Sequence, residues 1–125
     1  MKAYEMMNKN VITIGENATV AEAVDLMLKN NIRRLVVEPA VAGDPFGMIS
    51  VRDVVYKAVS KGLDVKQTRV KQIMTRPLVT INPNLEANYV ADLLRMANVN
   101  GAPVIGEHRL MGIISVWDVM KTLAK

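Results

Sequence analysis

The stretch Gly47-Met-Ile-Ser50-Val-Arg52-Asp53-Val54 recurs as Gly112-Ile-Ile-Ser115-Val-Trp117-Asp118-Val119. Each copy has an apolar run before the serine, which suits a short buried strand, and helical apolar spacing after it. Upstream, Met7, Thr13, Ile14, Asn17, Asp25, Leu26, Asn31 and Val37 reappear at one constant spacing. The matches are Met74, Thr80, Ile81, Asn84, Asp92, Leu93, Asn98 and Val104. A shared register of this length marks a duplicated unit, and the repeat constrains the fold more than any single motif.

The 125 residues suit one domain of common size, about 100–150 residues. Half are hydrophobic, but only five are aromatic, so the core is expected to be aliphatic and rich in methionine. No apolar run approaches the roughly 18 residues of a membrane helix. The opening Met1-Lys-Ala-Tyr-Glu5 has no apolar core and does not read as a secretory signal. With no cysteine there is no disulfide, thiolate metal site or cysteine nucleophile. The expected setting is cytoplasmic, away from the membrane.

The net charge of +4 is unevenly placed. Residues 52–76 carry seven Lys/Arg against Asp53 and Asp64. Such a segment can attract phosphate-bearing partners, nucleic acid included. It can equally be a solvated face, because only Tyr56 interleaves an aromatic.

The pattern predicts a helical turn near residues 3–7, a strand at Val11–Ile14, a helix from Thr19 to Lys29 capped by Asn17 or Thr19, and a strand at Leu35–Val37. A loop runs from Pro39 to Pro45. A strand at Phe46–Ile49 and a helix at Val51–Lys61, stopped by Gly62, complete the first half. Repeat one spans residues 1–62, a polar connector 63–69, and repeat two 70–125. The second half restarts with a turn at Val70–Met74, then strand Leu78–Ile81, helix Leu85–Ala97, strand Ala102–Ile105, turn Gly106–Arg109, strand Leu110–Ile114 and helix Val116–Leu123. The expected class is α/β (α+β): two pseudo-symmetric βαββα repeats packed sheet to sheet.

With the repeat laid out, the chain resembles a tandem pair of CBS domains, also called a Bateman module. The resemblance rests on Met7 with Val11–Ile14, on Met74-Thr75 with Val79-Thr80-Ile81-Asn82-Pro83, on Ala102-Pro103-Val104, and on the two Gly-apolar-apolar-Ser-x-x-Asp stretches. It covers essentially the whole chain and implies a stand-alone CBS pair. It also implies a regulatory, non-catalytic function: binding of adenosine-containing ligands such as AMP, ADP, ATP or S-adenosylmethionine in clefts between the repeats. No other cofactor, no catalytic residue and no metal site is implied. Such modules commonly form homodimers and regulate another protein, which this sequence does not name.

Ser-x-x-Asp has two readings. It is a capping-box pattern, in which the serine caps the helix and the acid reaches back. It also suits a ribose phosphate: the carboxylate accepts from ribose hydroxyls, while the serine and helix amides face a phosphate. Both roles can hold together. Arg33, Arg34 and Arg52 are candidate phosphate contacts, since a guanidinium offers paired charge-assisted hydrogen bonds. Their counterparts in repeat two are Asn100, Gly101 and Trp117, none of them positive. The resemblance assigns Ser50, Asp53, Arg33 and Arg34 to one cleft with Thr75, Leu78, Val99 and Asn100. It assigns Ser115 and Asp118 to the other with Val11, Ile32 and Arg33. A phosphorylated ligand is expected to prefer the first. His108 stands alone and is expected to be exposed. Trp117 either stacks on a base or packs between subunits. Val54, Val55, Ala58 and Val59, with Val119, Met120, Leu123 and Ala124, put apolar residues on more than one helix face, which points to a dimer.

Overall fold

The computed structural model describes residues 1–76 and 79–124. In chain order the elements are α1 (Ala3–Met6), β1 (Thr13–Gly15), α2 (Val20–Asn30), β2 (Arg34–Glu38), β3 (Gly47–Ser50) and α3 (Val51–Asp53). A π-helix, π1 (Val54–Val59), follows. The second half holds α4 (Val70–Ile73), α5 (Ala87–Ala97), β4 (Gly101–Gly106), β5 (Arg109–Ser115) and α6 (Val116–Lys121).

Two units form, one of Ile12–Arg76 and one of Met1–Val11 with the described residues from 79 onward. They differ from the sequence repeats by an exchange of leaders. The leader of repeat one, with α1, lies in the Ser115 unit, and that of repeat two, with α4, lies in the Ser50 unit. Backbone hydrogen bonds show why each leader is held. In the Ser50 unit, Val20 N donates to Thr68 O and Val70 N to Ala18 O, so the leader satisfies groups at the start of α2. In the Ser115 unit, Ala87 N donates to Met1 O and Ala3 N to Leu85 O, which serves α5 in the same way. This also explains why α5 begins at Ala87 rather than Leu85. The polar connector is part of the Ser50 unit, where Thr68 is buried.

In the Ser50 unit β1 runs parallel to β2 through the α2 crossover, and β2 runs antiparallel to β3. Arg34 stands opposite Ser50 and Leu35 opposite Ile49. In the Ser115 unit β4 and β5 are antiparallel, with Gly101 opposite Ser115 and Ala102 opposite Ile114. The strand expected over Leu78–Ile81 is, among the described residues, one parallel bridge from Ile81 to Val104. Leu78 lies outside the described residues.

Each unit has an aliphatic core. Val20, Leu35, Val37 and Ile49 cluster in one, and Ile81, Val90, Leu94, Val104 and Ile114 in the other. Full burial of such a side chain contributes about 1.5–3 kcal/mol. The cap of α2 is Thr19, whose Oγ1 accepts from Glu22 N at 3.2 Å. Asn31 and Asn98 close α2 and α5 in the left-handed region, at φ 52° and 55°. Asparagine tolerates that conformation at a helix end.

The helix expected over Val51–Lys61 differs in kind. After one α-turn it widens into π1, with Ser60 N donating to Val55 O and Leu63 N to Ala58 O. Val51, Val54, Val55 and Val59 stand at i,i+3 and i,i+4 spacings, where β-branched side chains slightly lower α-helix propensity. Repeat two has Met120 and Ala124 in place of Val55 and Val59, and α6 is regular.

The repeated Met and Gly residues are spatial partners. A methyl group at Gly47 would stand 2.8 Å from Met74 Sδ; one at Gly112 would stand 2.7 Å from Met7 Sδ and 2.8 Å from Asn8 O. Asn8 O accepts from Ile113 N, so the second clash is with fixed backbone. Gly112→Ala is expected to cost about 1–3 kcal/mol by overpacking, and Gly47→Ala less, because a methionine can swing aside. Urea unfolding of both variants checks the order; an equal or larger loss at Gly47 would contradict it.

Candidate ligand site

Both Ser-x-x-Asp stretches sit where a strand ends and a helix begins. Ser50 has extended backbone, and its Oγ accepts from Asp53 N at 3.2 Å. Asp53 Oδ2 in return accepts from Ser50 N at 2.9 Å and from Ser50 Oγ at 3.1 Å. Ser115 and Asp118 repeat the arrangement: Asp118 N donates to Ser115 Oγ at 3.3 Å, and Asp118 Oδ2 accepts from Ser115 N at 2.8 Å and Ser115 Oγ at 3.0 Å. Each is a closed capping box. The first helix amides are also used, Val51 N on Arg33 O and Val116 N on Asn100 O. Two of the three first-turn amides are therefore engaged inside each unit, which reduces the amide contribution expected for a phosphate.

The box fixes a carboxylate at a nearly buried position. The Asp53 side chain is 11% exposed and that of Asp118 14%. A carboxylate held this way has its Oδ1 fixed in direction as an acceptor, occupied at Asp53 by Thr75 Oγ1 and Lys57 Nζ.

Ser50, Asp53, Ile32, Arg33, Arg34 and Thr75 all belong to the Ser50 unit. Thr75 Oγ1 donates to Asp53 Oδ1 at 3.2 Å. Arg34 opens β2 opposite Ser50. Arg33 and Ile32 line a cavity of about 360 Å³ with Val24, Met27, Val51 and Val54. The guanidinium of Arg52 lies 5.4 Å from the Tyr56 ring centroid, a cation–π contact on the exposed helix face. Val11, Val99, Asn100, Ser115 and Asp118 belong to the other unit. His108 is exposed at the β4–β5 turn, with φ 63°. Among the described residues no group of three or more His, Cys, Asp or Glu could hold a metal ion, and no helix is long and apolar enough to cross a membrane.

The sequence reading missed Lys57. Its Nζ reaches Asp53 Oδ1 at 2.9 Å, Ile73 O at 3.1 Å and Thr75 Oγ1 at 3.2 Å. An acid followed four residues later by a lysine on one helix was the available signal.

Two closed capping boxes at equivalent strand–helix junctions define a duplicated small domain, and comparison with known proteins agrees. The family model for the CBS domain matches residues 3–60 and again 70–125. The chain is 30% identical over 116 residues to the CBS domain-containing protein YhcV of Bacillus subtilis, a match covering 92% of this chain and 80% of that one. It is 33% identical over 135 residues to the uncharacterized protein MJ1404 of Methanocaldococcus jannaschii. That match covers 98% of this chain but only 32% of the relative's length. The solved structure of a hexameric CBS-CP12 protein from bloom-forming cyanobacteria is similar at a TM-score of 0.90 and 45% identity, covering 96% of this chain and 66% of that one. The chain belongs to the CBS-domain family and carries two copies of the domain.

Proposed function

We propose that the chain is a regulatory, non-catalytic module of the cytoplasm whose Ser50–Asp53 and Ser115–Asp118 junctions receive the ribose of an adenosine-containing ligand. Candidates are AMP, ADP, ATP and S-adenosylmethionine. The observation that carries the reading is the pair of nearly buried aspartates, each aimed by its own capping box. A vicinal diol donates two hydrogen bonds to one carboxylate, and a charged acceptor makes them strong. Thr75 stands beside Asp53, and Arg33 and Arg34 are the phosphate candidates of the same unit. The regulatory effect is a shift between conformations, limited by the ligand's preference for one of them.

The basic 52–76 segment gives the nucleic-acid reading little support. Lys57 pairs with Asp53, Arg69 donates to Asn17 O, Arg76 donates to Pro45 O and pairs with Glu16, and Arg52 lies on Tyr56, which leaves Lys61, Lys66 and Lys71 as exposed cations too few to favour it.

A thermal-shift panel of the four ligands tests the proposal. A ligand at about 100 times its Kd adds about 2.7 kcal/mol of stability, which raises the melting temperature. No shift with any of them would contradict it.

The homodimer belongs to the same proposal. Val51, Val55, Tyr56 and Val59 are exposed along α3 and π1, and Val116, Trp117, Met120 and Leu123 along and just beyond α6. Apolar surface of this kind marks an interface. Light scattering at micromolar concentration should give twice the chain mass, and Val59→Glu should lower it; a monomeric unaltered chain would contradict the dimer.

A further inference from the structure

The two aspartates share their contacts at Oδ2 and differ at Oδ1. Asp53 Oδ1 accepts from Thr75 Oγ1 at 3.2 Å and from Lys57 Nζ at 2.9 Å. A carboxylate has about four lone-pair positions. At Asp53 they are taken by Ser50 N, Ser50 Oγ, Thr75 Oγ1 and Lys57 Nζ. The ammonium group is equally satisfied, since its three N–H donors have Asp53, Ile73 O and Thr75 Oγ1 as acceptors. Among the described residues, repeat two lacks this arrangement. Thr122 stands where Lys57 does, and its Oγ1 donates to Val119 O. Among the described residues the ammonium paired with Asp118 is that of Lys121, 3.4 Å away on a side chain 56% exposed. Lys57 also lies on π1, the segment in which the two repeats differ in helix type.

We propose that Lys57 is a latch on Asp53, and through it a specificity-determining residue of the Ser50–Asp53 site. This rests on the reading that Asp53 receives the ribose. One ribose hydroxyl reaches Asp53 Oδ1 only as Lys57 withdraws, and the second only as Thr75 Oγ1 also turns away. A neutral nucleoside leaves the released ammonium without an anion, whereas a nucleotide supplies one in its phosphate. The latch therefore selects phosphorylated ligands, and the Ser115–Asp118 site, without it, selects less.

Calorimetric titration of adenosine and AMP into the full chain and its Lys57→Met variant tests this. Adenosine is expected to bind Lys57→Met about fivefold more tightly, the scale of one partly exposed ion pair. AMP should gain less, so the AMP-to-adenosine preference falls. If the unaltered chain binds AMP and Lys57→Met binds adenosine no more tightly, the latch is overturned and the nucleotide reading stands. If neither protein binds either compound, the latch is overturned, and if ADP, ATP and S-adenosylmethionine also fail to bind, the adenosyl reading falls with it. Should Lys57→Met not fold, acylation of the unaltered chain reads the same point. Lys57 should react more slowly than exposed Lys61, and adenosine should speed it; a Lys57 rate equal to that of Lys61, or unmoved by bound adenosine, overturns the proposal.

Discussion

Asp53→Ala is expected to weaken AMP binding about tenfold or more, and Asp118→Ala considerably less. Two ribose hydroxyls on one carboxylate make two hydrogen bonds to a charged group, each contributing about 1.5–3 kcal/mol, offset by the Lys57 and Thr75 contacts they displace. A net of about 1.4 kcal/mol is already tenfold in affinity. The difference between the variants comes from the phosphate. Arg33 and Arg34 belong to the Ser50 unit, and their counterparts Asn100 and Gly101 are uncharged. Both variants also lose a capping box, a cost of about 1 kcal/mol that leaves a folded chain. Calorimetric titration of both, with circular dichroism to confirm folding, decides the matter. Equal losses, or a larger loss from Asp118→Ala, would show that the arginines do not face the ligand.

Ile49→Ala should have the largest effect on stability. Ile49 is fully buried, pairs with Leu35 across the sheet and immediately precedes Ser50. Truncating a buried isoleucine to alanine costs about 2–5 kcal/mol, the lost transfer energy plus the cavity left behind. That is a large share of a typical 5–15 kcal/mol. Val41→Ala, in the exposed loop between β2 and β3, should stay within about 0.5 kcal/mol. Urea unfolding gives both values. A cost below about 1 kcal/mol for Ile49→Ala would mean that the β2–β3 pair does not anchor the core.

The repeat, the two ends of α2 and the starts of the two Ser-x-x-Asp helices could be read from the chain because their signals are local. Thr19 precedes an apolar stripe, Asn31 follows it, and each Ser-x-x-Asp carries its own capping geometry. What could not be read depends on distant partners. Nothing near Met74 or Met7 announces that their sulfurs lie over Gly47 and Gly112. The exchange of leaders between units is a matter of which backbone groups find partners far along the chain, and no local pattern records it. Thr75 was proposed as a ligand contact through family resemblance, but its bond to Asp53 spans 22 residues. The π-helix has no local signal in the sequence, because a run of valines at these spacings reads as an ordinary amphipathic helix.

The central claim is that Asp53 receives a ribose. A crystal structure of the protein grown with AMP tests it most directly. The account predicts both ribose hydroxyls within hydrogen-bond distance of the Asp53 carboxylate, with Lys57 Nζ moved off Oδ1 and toward the phosphate. AMP bound away from Asp53, or Lys57 still on Asp53 beneath a bound nucleotide, would contradict it.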